Sequence, residues 1–113
     1  MSMQNINNLS AAETERLAIL LEELGEAQQA IGKIMRHGYE SCHPERPEKT
    51  NRQDLAKELG HIDLAVQVMF VNGDLSASAV RNSRIDKSLS IEDYLHHQNN
   101  VPVRDFNTHG YGY

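Results

Sequence analysis

Glu22-Glu23-Leu24-Gly25-Glu26 and, further along, Glu58-Leu59-Gly60-His61 hold the residues of this chain best suited to chemistry. Carboxylates three apart share one flank of a helix, so Glu23 and Glu26 are neighbours if this segment is helical, with Glu22 further round. At about 100° per residue, Glu58 falls about 40° from Ile62, inside the apolar face of its own segment. A carboxylate in that position is costly unless a cation, a proton or hydrogen bonds compensate it. If the two segments pack antiparallel, the Glu23/Glu26 pair meets the Glu58/His61 pair. Three carboxylates and an imidazole then converge, a donor set for Mg²⁺, or for Mn²⁺ where the imidazole takes part. A solvated acidic face is the plain alternative for Glu22, Glu23 and Glu26, as is a packed, hydrogen-bonded ring for His61. His37, His43 and Cys42 read as ordinary polar or inert side chains.

Positioning these residues requires two helices. Ser10-Ala11-Ala12-Glu13 has the form of a capping box, in which the Ser hydroxyl and the Glu carboxylate each accept from an orphan backbone N–H. From there Leu17, Leu20, Leu21, Leu24, Ala27, Gln28, Ile31, Ile34 and Met35 recur at helical spacing, which predicts a helix to about Arg36 with Gly38 as its stop. Residues 38–50 hold two of the three prolines and no period, and read as a surface loop long enough to cover part of a ligand. Thr50 with Gln53 makes a second capping box, opening a helix that runs to about Val71 on a stripe of Leu55, Leu59, Ile62, Val66 and Met69. Residues 64–71 are apolar nearly all round, so cover on more than one side is expected. A third helix is predicted over 75–88, capped by Asp74 or Ser76. A short fourth is predicted from Ile91 to His97, capped by Ser90 with Asp93. The expected fold is all-α, a helical bundle of two long antiparallel helices and two shorter ones. It occupies residues 1–98 with an irregular tail at 99–113, and oligomerisation completes its core.

Composition narrows the function classes. Sixteen acidic against eleven basic residues give a net charge of -5, the wrong sign for gripping a nucleic-acid backbone. The single cysteine, Cys42, excludes an intramolecular disulfide and a Cys-based zinc site, and suits a reducing compartment. No apolar run reaches the length of a membrane span, and the opening MSMQNINNLS has no signal-peptide pattern. The expectation is a cytoplasmic protein without a membrane partner. Two basic groups are available for phosphate: Lys33 and Arg36 with Arg46, Lys49 and Arg52, and Arg81, Arg84 and Lys87 at three-residue spacing on the third helix. Opposite a metal cluster such a face makes a triphosphate site; alone it is a solvated basic face. The absence of a Gly-rich P-loop excludes a Walker-type site.

The acidic spacing, its Leu-Gly contexts and the helix order together resemble the EExxE...ExxD signature of the MazG-like all-α nucleoside triphosphate pyrophosphohydrolases, over roughly residues 10 to 97. Arg36-His37-Gly38-Tyr39-Glu40 before the Pro-containing loop is similar to small phage-type members. The resemblance implies a dimer or tetramer that hydrolyses an NTP or dNTP to the monophosphate and pyrophosphate with Mg²⁺. It implies Glu23, Glu26 and Glu58 as metal ligands, Glu58 being essential to turnover. It further implies Glu22 as an additional acidic catalytic residue that binds a second ion or orients water, and Lys87, with Arg84 as the weaker candidate, as contacts to the triphosphate. His61 stands where the signature has Asp. As a ligand it shifts metal preference towards Mn²⁺, while Asp54 is placed to reach along the helix as a substitute and Asp63 lies on the far side.

That departure supports a second reading, a catalytically degenerate helical oligomer that binds nucleotide or metal and acts through a protein partner. A third is a structural oligomer whose acidic flank is only surface.

Overall fold

Two capping boxes set the two long helices, in a computed structural model that describes residues 6–101. The Ser10 hydroxyl accepts from the Glu13 backbone N–H at 3.0 Å, and the Glu13 carboxylate accepts from the Ser10 N–H at 2.9 Å. Helix α1 therefore starts at once and spans Ala11–His37. It stops at Gly38, whose φ of 88° and ψ of 166° belong to a region that only glycine occupies without strain. Thr50 and Gln53 repeat the arrangement at 3.2 and 2.9 Å, opening α2 over Asn51–Val71.

Contacts along the two helices give their direction. Gly38 at the end of α1 accepts from the Asn51 side chain at the start of α2, 3.1 Å away. Midway, Glu23 meets His61. Near the start of α1, Arg16 makes a two-pronged bridge to Asp74, just past α2, at 2.5 and 2.9 Å. The helices are antiparallel.

They do not meet through the middle of their apolar stripes. The buried residues of α1 are Ala27 and Ala30, and those of α2 are Asn51, Glu58, Ala65 and Met69. On the wheel, the α1 face turned to α2 is centred near Glu23, about 90° round from Leu24. Small Ala side chains allow the close approach there. Leu17, Leu21, Leu24, Ile31 and Met35, expected in the core, are instead 41% to 83% exposed, and Leu59 on α2 is also open.

The segment between the helices corrects a second expectation. It contains an antiparallel hairpin, β1 (Cys42–His43) and β2 (Arg46–Thr50), closed by a Pro44-Glu45 turn with the Glu45 N–H on His43 Nδ1 at 3.1 Å. Pairing shifts register between Cys42 and His43, on a ladder where Pro47 has no N–H to donate. Its base is tied by Asn51 N–H to Ser41 O at 2.8 Å and Arg52 N–H to Tyr39 O at 2.9 Å. The Arg52 guanidinium bonds Glu40 and lies 4.2 Å from the Tyr39 ring centre. The fold is thus mostly helical with one small sheet.

The described chain divides into two units, the first ending at Asp74 and the second beginning at Leu75. The second holds α3 over Ala77–Ser88, capped by the Ser76 hydroxyl on the Ala79 N–H at 3.2 Å. The predicted fourth helix is only a 3₁₀ turn, Ile91–Tyr94, because the Ser90 side chain supplies no cap and Leu95 is already extended. The expected tail lies outside the described residues beyond position 101. No helix among the described residues is long and apolar enough to cross a membrane.

Candidate metal centre

Rotation of α1 turns Glu23 towards α2, and the three-residue spacing brings Glu26 beside it one turn on. From α2, Glu58 and His61 use the same spacing to present a carboxylate and an imidazole. One ligand atom from each of Glu23, Glu26, Glu58 and His61 lies within 4.8 Å of the other three. His61 Nδ1 is 3.1 Å from Glu23 Oε2 and 3.6 Å from Glu58 Oε2. Opposite ligands of an octahedral Mg²⁺ stand about 4.2 Å apart, so small side-chain rotations would close this set around an ion.

Burial distinguishes the four. The Glu58 side chain is 7% exposed and that of Glu23 18%, whereas His61 is half open to solvent. Glu58 Oε1 has Lys57 Nζ at 3.3 Å, but Glu58 Oε2 is buried without a hydrogen-bond partner among the described residues. An unsatisfied buried carboxylate oxygen is rare and calls for an explanation. It lies 3.6 Å from His61 Nδ1, in a carboxylate that shares the cluster with Glu23 and Glu26, and a cation held there would satisfy it.

The carboxylates also share charge unequally. Glu58, close enough to share a proton with Glu26, holds the Glu26 carboxyl above the usual carboxylate range, and its negative charge adds to the effect. Burial pushes Glu58 upward, but the contacts with Glu26, Glu23 and Lys57 outweigh burial and leave it below that range.

The other expected site residues are placed differently. Glu22 is exposed and outside the four. Asp54 is one turn before Glu58 and also outside the set, and Asp63 is exposed. Arg84 and Lys87 belong to α3 in the second unit, where Lys87 Nζ lies 4.5 Å from the Tyr94 ring centre. On one side of the cluster, Glu23 and His61 border an apolar cleft of about 320 Å³ with Ile19, Leu64 and Val68. On the other, Glu26 and Glu58 border a polar cleft of about 220 Å³ that also takes in Lys33, Arg46 and Lys57. Hydrophobic periodicity carries no signal for the position of Arg46, which depends on the hairpin.

Comparison with family models, curated proteins and solved structures finds no match.

Proposed function

We propose that this chain is a divalent-metal-dependent nucleoside triphosphate pyrophosphohydrolase of the MazG-like kind, converting an NTP or dNTP and water to the monophosphate and pyrophosphate. The observation that carries the reading is the buried, unpartnered Glu58 Oε2, in a carboxylate clustered with Glu23, Glu26 and His61. Those four residues hold the ion, with Mg²⁺ the expected choice and Mn²⁺ favoured by the imidazole. When bound, the ion supplies neutralising charge and Lewis acidity to the phosphates.

In the reaction, a water oxygen bonds the α-phosphorus as the bond to the bridging oxygen breaks, and pyrophosphate leaves. Glu58 is fixed by its burial in the helix contact and orients the groups around it. Glu22, exposed and outside the four ligands, is the proposed acceptor of the water's proton. The apolar cleft of Ile19, Leu64 and Val68 offers a surface for the base.

The chain acts as a homo-oligomer, a dimer or tetramer. Leu17, Leu21, Leu24, Gln28, Ile31 and Met35 run at alternating spacings of four and three, the pattern of a helix-packing seam. All six are exposed, and a second copy covers them. A cytoplasmic setting suits the free thiol of Cys42.

The test is an NTP and dNTP panel with Mg²⁺ and separately Mn²⁺, with products resolved by anion exchange. Monophosphate with pyrophosphate is expected. No product with either ion, from protein that still binds nucleotide, would favour the degenerate binder that His61 in place of Asp brings to mind.

A further inference from the structure

The polar cleft at Glu26 and Glu58 extends to Lys33 and Arg46. A second cleft, of about 280 Å³, opens beyond them under the hairpin. Lys33, Arg46 and Asp54 line both clefts, so the two adjoin at these residues. Arg36, His37 and His43 border the far part. The cations are thus gathered at one end of the first unit, in a chain whose net charge is -5.

Three of the four other cations of that unit are paired; the fourth, Lys49, lies outside both clefts and has no carboxylate at ion-pair distance among the described residues. Arg16, Arg52 and Lys57 each have a carboxylate within ion-pair distance. Lys33, Arg36 and Arg46 have none among the described residues, and Asp54 is the only carboxylate bordering the far cleft. The last turns of a helix favour basic residues, which accounts for Lys33 and Arg36 on α1. It does not account for Arg46, which β2 brings in from outside the helix. Gathering three unpaired cations around a concavity is unfavourable unless an anion joins them, and phosphoryl oxygens are well matched to guanidinium and ammonium donors.

We infer that Lys33 and Arg46, supported by Arg36, form a binding site for the pyrophosphate end of the substrate, where the two clefts adjoin. The inference rests on the proposed pyrophosphohydrolase function for its ligand, and on the clefts alone for its location. It assigns the hairpin a role in holding the leaving group. It also sets the polarity of the bound nucleotide: phosphates towards the hairpin, the base towards Ile19 and Leu64.

Binding of inorganic pyrophosphate to the full chain, measured by calorimetry in EDTA, reads the site without turnover. Lys33→Gln and Arg46→Gln are each expected to weaken binding at least about tenfold, which corresponds to about 1.4 kcal/mol. Lys49→Gln, an equal change of charge on β2 outside both clefts, is expected to leave binding unchanged. Far-UV circular dichroism establishes that each variant keeps its helices, and Arg46→Lys restores part of the affinity. Failure of the wild-type protein to bind pyrophosphate, or equal losses in all three Gln variants, would overturn the site. Pyrophosphate binding that depends on Lys33 and Arg46 in a protein that hydrolyses no nucleotide would sink the proposed function and leave the site. Hydrolysis with unaltered KM in the Lys33→Gln and Arg46→Gln variants would do the reverse.

Discussion

Glu58→Gln separates a metal ligand from a structural carboxylate, because the two roles predict opposite signs for stability. Glu58 is buried, faces Glu23 and Glu26, and leaves Oε2 without a donor. Leaving such a group unsatisfied costs about 1–3 kcal/mol. The Gln amide keeps the shape, removes the charge and supplies N–H donors to the facing carboxylates. In EDTA, at a pH above the raised titration of Glu26, where Glu23 and Glu26 are both ionised and repel Glu58, the variant should therefore be more stable than wild type. At the lower end of that range, about 1 kcal/mol, the melting temperature of a domain this size rises by about 4–8 °C. The metal arm runs the other way. Free ion at a hundred times its Kd stabilises the wild type by about 2.7 kcal/mol, or roughly 10–20 °C by the same conversion, and should do almost nothing for the variant. The assay is thermal unfolding by circular dichroism at one protein concentration, in EDTA and in MnCl₂. A Glu58→Gln protein that melts lower than wild type in EDTA, or one that keeps the metal-dependent rise, would refute the reasoning.

Further predictions concern protons, assembly and backbone. Because Glu58 holds the Glu26 carboxyl above its ordinary range, the folded, metal-free protein retains that proton more tightly than the unfolded chain. This contribution to stability is complete below the unfolded value and is lost as pH rises through the folded one. Metal must displace the proton, so affinity should climb with pH across that window, with proton release seen as a buffer-dependent calorimetric enthalpy; an enthalpy independent of buffer there would contradict the shared proton. Leu21→Glu places a charge in the exposed α1 seam and should convert an oligomer to a monomer by light scattering, while a monomeric wild type would remove the seam's role. Gly38→Ala forces a Cβ into a conformation reserved for glycine and should destabilise by about 1–3 kcal/mol, read as a lower denaturant midpoint; an unchanged midpoint would show that the loop relaxes.

Local chemistry made much of this fold legible. Ser10 with Glu13 and Thr50 with Gln53 announce both long helices, since each box satisfies its own orphan N–H groups whatever surrounds it. Glu58 could be singled out because a carboxylate among Leu55, Ile62 and Val66 conflicts with its neighbours. The azimuth of α1 was not legible. Its apolar stripe fits either an intramolecular or an intermolecular partner, and the choice of the Ala27/Ala30 flank against α2 depends on close packing that periodicity does not encode. Nor was the hairpin, because Arg46-Pro47-Glu48-Lys49-Thr50 lacks alternation and its ends are held by backbone bonds to Ser41 and Tyr39. Sequence grouped Lys33 and Arg36 with Arg46, Lys49 and Arg52, but which of the three later cations borders the clefts depends on the hairpin, which turns Arg46 there and leaves Lys49 and Arg52 out. The 3₁₀ turn at Ile91–Tyr94 shows the limit of cap motifs: Ser90 and Asp93 have the right types, but the Ser90 side chain makes no cap bond.

The most direct test of the central claim is ³¹P NMR of an NTP turned over in ¹⁸O-labelled water, with Mg²⁺ or Mn²⁺. Label in the monophosphate and unlabelled pyrophosphate are expected, with neither product formed by Glu58→Gln. Label in inorganic phosphate beside a nucleoside diphosphate, or equal turnover by the variant, would contradict it.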